Sequence, residues 1–264
     1  MTTAKPSVSI RSVAMPAEHG GWGFLSEPIL LGLILAPTLA GLGIGAAAAA
    51  LFLVHQPLKI VIKDTRKGRM YERTRLAARF AALYGIIGVV GMLIALATAK
   101  NRAFLLPLVL SLPLAGVQLA YELRNDARSL VSEIFGALAL AATAPAFVLA
   151  ADQSGVVAMV AWGVLAMRIV PAILYVRARL RLIHGKPANV SLALGLHTIA
   201  VVIGVALWIS GQTTALILLG VGVLLVRAVH GLKIAKPVPA KTVGFQELFV
   251  GLFYAVVCGV GIVL

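Results

Sequence analysis

Nine long apolar stretches constrain the fold of this chain more than any other feature of its sequence. A helix needs about 20 mostly apolar residues to cross the hydrocarbon core of a bilayer. Only 12% of the 264 residues are charged and 61% are hydrophobic, which leaves too little polar surface for a water-soluble domain. The sequence therefore predicts an all-α, polytopic transmembrane bundle that forms one domain over residues 1–264. The predicted spans are roughly Phe24–Leu42, Gly43–Ile62, Leu76–Ala99, Ala103–Ala120, Leu130–Ala151, Val156–Val176, Val190–Ser210, Thr214–Val229 and Phe245–Leu264.

Basic residues collect in alternate connections between these spans. Of the 23 Lys and Arg residues, 20 fall in the N-terminal arm or after the second, fourth, sixth and eighth spans, and only Lys100 and Arg102 fall on the other side. Because cytoplasmic loops are enriched in Lys and Arg, this asymmetry predicts a cytoplasmic N-terminus and an external C-terminus. Topology thus explains the net charge of +14, and no nucleic acid is expected as a partner.

The N-terminal arm, residues 1–23, carries the motif Glu-His-Gly-Gly-Trp-Gly just before the first span. Glu18, His19 and Glu27 are the candidate catalytic residues, because carboxylates and imidazoles are the usual general acids and bases. For Glu27 the alternative is a charge that favours the N-terminus of a helix. Trp22 is a candidate substrate contact, although tryptophan is also typical of the membrane interface. No second His-rich stretch accompanies the motif, so a metal site is not predicted.

Arg168 lies near the middle of the sixth span, about 13 Å along the helix axis from Arg177. A charge at this depth is costly, so it should point into the bundle and meet a carboxylate or an anionic ligand. The alternative is a structural ion pair. His197, in the seventh span, is predicted to be a hydrogen-bonded packing residue.

Several charged residues near the predicted cytoplasmic ends are further candidates for substrate binding. Lys63 and Arg66 belong to a strongly basic connection that suits anionic lipid head groups or a diphosphate. For Glu133 and Glu247 the alternative is a structural role, because a helix N-terminus stabilises a nearby carboxylate. A run of alanines, Ala46–Ala50, predicts a close contact between helices. The complete set of candidate substrate-binding residues is Trp22, Lys63, Arg66, Arg128, Glu133, Arg168, Arg177 and Glu247.

The N-terminal motif resembles the His-Gly-x-Trp signature of the YwiC-like bacterial membrane proteins. It is carried here by His19, Gly20 and Trp22. The segments Arg128-Ser129…Glu133-Ile-Phe-Gly136 and Lys241-x-x-Gly244-x-x-Glu247 are similar to that family as well. The resemblance covers most of the chain, although its motifs are short. It implies a bacterial integral membrane protein and no particular reaction.

The predicted architecture also resembles, more distantly, the UbiA-type intramembrane prenyltransferases. Those proteins have nine helices, a cytoplasmic N-terminus and polar loops after the even-numbered helices. The resemblance implies a cytoplasm-facing cavity for an isoprenoid. Prenyl transfer in that family uses two Asp-rich motifs that bridge Mg²⁺ to a diphosphate, since Mg²⁺ prefers oxygen ligands. Here the first motif is reduced to Asp64 and Glu72, and the second, in 177–186, has no acid. Magnesium is therefore not supported, and the cofactor stays unknown.

Three functions remain open from the sequence. The preferred hypothesis is a UbiA-like bundle that binds or modifies an isoprenoid or another anionic, lipid-like substrate. If it is an enzyme, it is a prenyltransferase-like transferase. The second is a transporter or permease in which Glu27, Arg168 and His197 form a substrate or proton path. The third is a non-catalytic partner in membrane-protein assembly. The lipid bilayer is a partner in each case.

Overall fold

The computed structural model describes residues 9–16, 21–124, 126–234 and 237–264, and the regular structure in these ranges is helical. A single 3₁₀ turn lies at Arg102–Phe104 within these ranges. The helices are α1 (Ile10–Ala14), α2 (Gly21–Leu35), α3 (Leu39–Arg66), α4 (Glu72–Thr98), α5 (Leu105–Leu123), α6 (Leu130–Ala141), α7 (Thr143–Ala150), α8 (Gly155–Ile183), α9 (Val190–Ile209), α10 (Leu216–Lys233) and α11 (Ala240–Val263).

Within the described ranges, eight helical segments are long and apolar enough to cross a membrane. The helices α6 and α7 count together as one of them, because only Ala142 separates the two. The remaining predicted span, the first one, corresponds to α2, which is apolar but has only 15 residues. At 1.5 Å per residue α2 is about 22 Å long, shorter than the hydrocarbon core. The predicted fold class, an all-α polytopic bundle, is confirmed.

The predicted boundary between the first two spans, at Leu42 and Gly43, is wrong. The structure ends α2 at Leu35 and begins α3 at Leu39. Pro37 cannot continue a helix, because it has no backbone N–H and restricts the residue before it. Thr38 then caps α3, since its hydroxyl accepts a 3.0 Å hydrogen bond from the backbone N–H of Gly41. The glycines and alanines that follow continue the helix rather than form a hairpin.

Small residues hold α3 and α4 together as an antiparallel pair. A Cβ atom built on Gly43 would lie 2.5 Å from the carbonyl oxygen of Gly91, and one built on Gly91 would lie 2.6 Å from the carbonyl oxygen of Gly43. A Cβ on Gly91 would also lie 3.3 Å from the Cβ of Ala46. Side chains larger than hydrogen would thus separate the two backbones. The close contact predicted for the alanine run is confirmed.

The centre of the bundle is built around α8. This helix packs against α2, α6, α7, α9, α10 and α11, and α2 in turn packs against α11. In the most apolar stretch of α8, 61% of the residues are buried, compared with 11% in α4. The helix α8 is therefore the core of the molecule, and α4 lies on the outside behind α3.

The connections alternate between the two ends of the bundle. At one end, Gln153 donates a 2.8 Å hydrogen bond to the carbonyl oxygen of Leu35, and the N–H of Lys100 donates to the carbonyl of Ala150. The basic connections meet at the opposite end, where Arg177 donates to the carbonyl of Arg128 at 2.9 Å. The alternation expected from the charges is thus present in the packing. We call this second end the basic end.

Candidate functional site

Five ionisable side chains from five helices meet inside the bundle and form what we call the central charge network. Its members are Glu27 of α2, Arg168 of α8, His197 of α9, Arg227 of α10 and Glu247 of α11. Glu27, Arg168 and His197 are each 1% exposed, and Glu247 is 7% exposed. Ionisable groups at membrane depth are costly, so such a cluster is the first candidate for a functional site.

Arg168 lies between the two carboxylates of the network. Its Nη2 atom is 3.1 Å from Oε1 of Glu27 and 3.6 Å from Oε2 of Glu247. The same nitrogen donates a 2.9 Å hydrogen bond to the backbone carbonyl oxygen of Glu247. The prediction that Arg168 points inward and meets a carboxylate is confirmed. One guanidinium therefore joins α2, α8 and α11.

Arg227 extends the network from Glu247 to His197. Its Nη1 atom donates to both carboxylate oxygens of Glu247, and its Nη2 atom lies 3.2 Å from Nε2 of His197. The other ring nitrogen of His197, Nδ1, is 2.7 Å from the carbonyl oxygen of Ala193. Because a carbonyl only accepts, Nδ1 carries the hydrogen, and Nε2 of the neutral ring accepts from Arg227. The network thus contains two carboxylates, two guanidiniums and a neutral imidazole.

Tyr175 and Arg179 connect the network with the basic end. The guanidinium carbon of Arg227 lies 4.1 Å from the centre of the Tyr175 ring, within the range of a cation–π contact. Nη1 of Arg179 donates to the Tyr175 hydroxyl at 2.8 Å and to Oε1 of Gln246 at 2.9 Å. Arg168, Tyr175 and Arg179 are spaced by seven and four residues, which places them on one face of α8.

Several polar atoms of this region have no hydrogen-bond partner among the described residues. They include Oε2 of Glu27, Nε and Nη1 of Arg168, and Nε of Arg179 and of Arg227. An unpaired polar group in a buried position costs about 1–3 kcal/mol. Buried polar groups without a partner therefore call for an explanation, such as a bound ligand, ion or water, or a catalytic role.

Gly251 makes the contact between Glu27 and Arg168 sterically feasible. A Cβ atom at this position would lie 1.8 Å from Oε1 of Glu27 and 2.8 Å from Nη2 of Arg168. Gly251 follows Glu247 by four residues and so lies on the same face of α11. The absence of a side chain at Gly251 therefore leaves the space that the Glu27 carboxylate occupies.

The sequence profile of the family described as YwiC-like protein matches residues 15–148, which is half of the chain. This chain belongs to the YwiC-like family. No curated protein and no solved structure matches it. The match includes Glu27 and ends before α8, so the other four members of the central charge network lie outside the matched region. The YwiC-like membership expected from the N-terminal motif is confirmed, whereas the likeness to UbiA-type enzymes stays a prediction.

The predicted site residues of this YwiC-like protein fall into separate groups. Three of them, Glu27, Arg168 and Glu247, lie together in the central charge network. Glu18 and His19 lie outside the described residues, so their proposed role is untested. Trp22 packs edge-to-face against the ring of Phe52 with the centroids 5.4 Å apart, which anchors the start of α2 on α3.

The other predicted binding residues lie at the basic end. Nη1 of Arg177 contacts Oε2 of Glu133 at 2.7 Å and also donates to the carbonyl oxygen of Arg128. Lys63 and Arg66 are exposed at the last turn of α3. These five residues form two surface groups, and neither contains a member of the central charge network.

Sequence reasoning missed Arg227, Tyr175 and Gly251. The charge count assigns Arg227 to the connection after the eighth span, but Arg227 lies inside α10, six positions before its last residue, Lys233. Its side chain is 13% exposed. The available signal was a lone arginine followed by apolar residues, Ala228 and Val229, rather than by further charges. His197 was predicted to be a packing residue; it is buried and hydrogen-bonded, and it also contacts Arg227.

Two open grooves lie on the outside of the bundle. One, of about 520 Å³, runs between α8 and α9 and is apolar. The other, of about 600 Å³, follows α10 and reaches Arg227 and His230. Neither is lined by Glu27 or Arg168. Among the described residues, no three His, Cys, Asp or Glu side chains are grouped closely enough to hold a metal ion.

Proposed function

We propose that this YwiC-like membrane protein is a transporter and that the central charge network is its transport site. The observation that carries the proposal is the contact of Glu27, 1% exposed, with Arg168, 1% exposed, in a network that continues through Glu247 and Arg227 to His197. Glu27, Arg168 and His197 are the residues that the sequence suggested for a substrate or proton path. Intramembrane ionisable groups that face a bundle interior are typical of such paths.

The pairing of the charges favours transport over prenyl transfer. Both arginines already contact carboxylates, so a diphosphate bound there would compete with Glu27 and Glu247. The basic residues Lys63 and Arg66 lie at the surface and not beside Arg168. A transport site, in contrast, has to exchange partners during each cycle. Ion pairs between α2, α8, α10 and α11 suit that requirement, because moving the helices rearranges the pairs.

We place the protein in the bacterial plasma membrane with its N-terminus and basic end in the cytoplasm. The support is the distribution of charge, with 20 Lys and Arg residues assigned to the basic side and two to the other. Solutes would then reach the central charge network from the cytoplasm by way of Arg179 and Tyr175.

An uptake assay in proteoliposomes tests the proposal. We expect the purified protein to carry at least one member of a radiolabelled panel of amino acids, carboxylates, sugars and inorganic anions. Glu27→Gln should abolish this uptake, whereas Glu72→Gln should leave it unchanged, since Glu72 is an exposed carboxylate in the first turn of α4. No uptake of any solute, or full uptake by Glu27→Gln, would refute the proposal.

A lipid-like substrate is the second candidate. It is favoured by the groove along α10, which is apolar over most of its length and ends at Arg227 and His230. An isoprenoid or fatty chain fits the apolar part, and an anionic head group fits the arginine. Native mass spectrometry of protein extracted in mild detergent should then find one bound anionic lipid that Arg227→Gln loses. A bare protein in both forms would exclude this candidate.

A further inference from the structure

A series of guanidinium groups leads from the basic end to the centre of the bundle. Arg179 is partly exposed and donates a hydrogen bond to the hydroxyl of Tyr175, which is itself buried. Arg227 lies over the other part of the same ring, and Arg168 follows beyond Glu247. Guanidinium groups are strong donors to oxyanions and are only weakly hydrated. The positive charges thus continue into the bundle and favour the entry of an anion. An apolar path would oppose it.

The innermost arginine keeps donors that nothing in the described residues uses. Nε and Nη1 of Arg168 have no hydrogen-bond partner, although the side chain is 1% exposed. Its carboxylate partner Glu27 is held through one contact, and Oε2 of Glu27 is also without a partner. An incoming oxyanion offers the same kind of acceptor atoms as the Glu27 carboxylate. It can therefore replace Glu27 at Arg168.

Charge balance determines what must accompany that anion. With His197 neutral, the two carboxylates and two guanidiniums of the network sum to zero. An added anion would leave a net negative charge in the bundle interior, which is strongly unfavourable. A proton bound by Glu27 restores the balance, because the neutral carboxyl then releases Arg168 to the anion.

The surroundings of Glu27 are consistent with this exchange. The charged groups that act on it are Arg168 from α8, Glu247 from α11 and Arg227 from α10. The helices α3, α6 and α7 present apolar or small side chains to α2, among them Phe147 against Gly32. His197 is separated from Glu27 by Arg227 and Glu247.

We infer that the transported solute is a small oxyanion, which enters along Arg179, Tyr175 and Arg227 and binds Arg168 in place of Glu27, while Glu27 takes up one proton. The step moves one anion and one proton together and changes no net charge in the site. This inference rests on the proposed transport function and names its substrate class and coupling.

Calorimetric titration of the purified full-length protein tests the coupling. Potassium nitrate, acetate and phosphate serve as probes at constant ionic strength, in two buffers of different ionisation enthalpy. We expect at least one probe to bind with uptake of one proton by the protein. Glu27→Gln should bind the same probe more tightly and without proton uptake, because its site carries a net positive charge before the anion arrives. Arg168→Gln should lose binding; if it fails to fold, Glu27→Gln decides.

Stopped-flow binding tests the entry path. Arg179→Gln should slow association and leave the equilibrium Kd unchanged. Arg181→Gln is the matched control, since Arg181 lies on the same helix but is exposed and donates to the carbonyl of Pro187. Equal slowing by both variants would overturn the path.

The outcomes separate this inference from the transport proposal. Uptake of an uncharged solute with no binding of the three probes overturns the inference and leaves transport standing. Binding of a probe without proton uptake, or equal proton uptake by Glu27→Gln, overturns the coupling. Binding with proton uptake but no flux in proteoliposomes supports the anion site and refutes transport.

Discussion

Arg168 is the residue on which the interior of this molecule depends. A buried charge that loses its partner costs about 3–5 kcal/mol, because the remaining charge is neither hydrated nor paired. Arg168 contacts Glu27, the Glu247 side chain and the Glu247 backbone through one nitrogen. Its substitution therefore disturbs three helices at once.

A double-mutant cycle measures this coupling. Glu27→Gln and Arg168→Gln should each lower the free energy of unfolding by about 3–5 kcal/mol. The double variant should lose less than the sum, since it removes both charges of the pair. Denaturant unfolding in detergent gives the values, with Glu72→Gln as the control. Additive losses would mean that the two side chains do not interact.

Gly251 should tolerate no side chain. Gly251→Ala would place a Cβ 1.8 Å from the Glu27 carboxylate, so either α2 or the carboxylate must move. We expect a clear loss in Tm and loss of uptake. Gly163→Ala is the control, because a Cβ at that helical glycine meets nothing within 4 Å. An unchanged Tm for Gly251→Ala would contradict the geometry.

The sequence predicted part of this site for a physical reason. A charge in the middle of an apolar span has to point inward, which identified Arg168. Arg227 lies near the end of its helix. At such a position the sequence looks the same whether the arginine reaches the membrane interface or points into the bundle. Only the rotation of α10 decides between them, and that rotation depends on packing.

At the scale of elements, the α3–α4 pair differs from the rest of the bundle. Its helices meet at Gly43 and Gly91, and most of α4 faces outward. Asp64 fastens the basic end of the pair, since it accepts two hydrogen bonds from Arg73 and one from Thr74. The pair therefore has close packing along its length and a polar lock at one end.

A larger side chain at the contact of Gly43 with Gly91 should separate α3 from α4. Gly91→Val would force the backbones of α3 and α4 apart and lower the Tm. Gly85 lies on the same helix as Gly91, but a Cβ at Gly85 would meet no neighbouring helix within 4 Å. Gly85→Val should therefore have little effect. Thermal unfolding of both variants in one detergent makes the comparison. Equal shifts would show that helix propensity, rather than packing, sets the loss.

The helical type of the elements and the approximate number of spans were predictable, because apolar length largely determines them. The end of α2 was not, since its apolar composition continues without change into α3. Pro37 and Thr38 indicate the boundary, but the predicted spans follow the length of a typical transmembrane helix instead.

For the whole molecule, the concentration of basic residues at one end predicts how the chain is oriented in the membrane. Cys258 is buried and is the only cysteine of the chain, so it can be replaced by serine. In that background, Lys186→Cys and Gln212→Cys place exposed thiols at opposite ends. An impermeant maleimide added to intact cells should label position 212, and position 186 only after lysis. The reverse pattern would invert the proposed orientation.

The convergence of five helices on one network could not be predicted. Charge counting orients each helix across the membrane, but it does not say which helices are neighbours. The contact of α2 with α11 brings together residues near the two ends of the chain. Only the packing of the bundle specifies that contact, which closes the bundle between its first and last long helices.

That closure has a consequence for biosynthesis. About 220 residues separate Glu27 from Glu247, so at about 5–20 residues per second the ribosome needs roughly 10–40 s to make the second after the first. During this interval Glu27 gains its partner Arg168 when α8 is made, but the face of α2 that packs against α11 stays uncovered. A chain that stalls before α11 leaves this face of α2 exposed to lipid. The last helix thus completes the burial of α2.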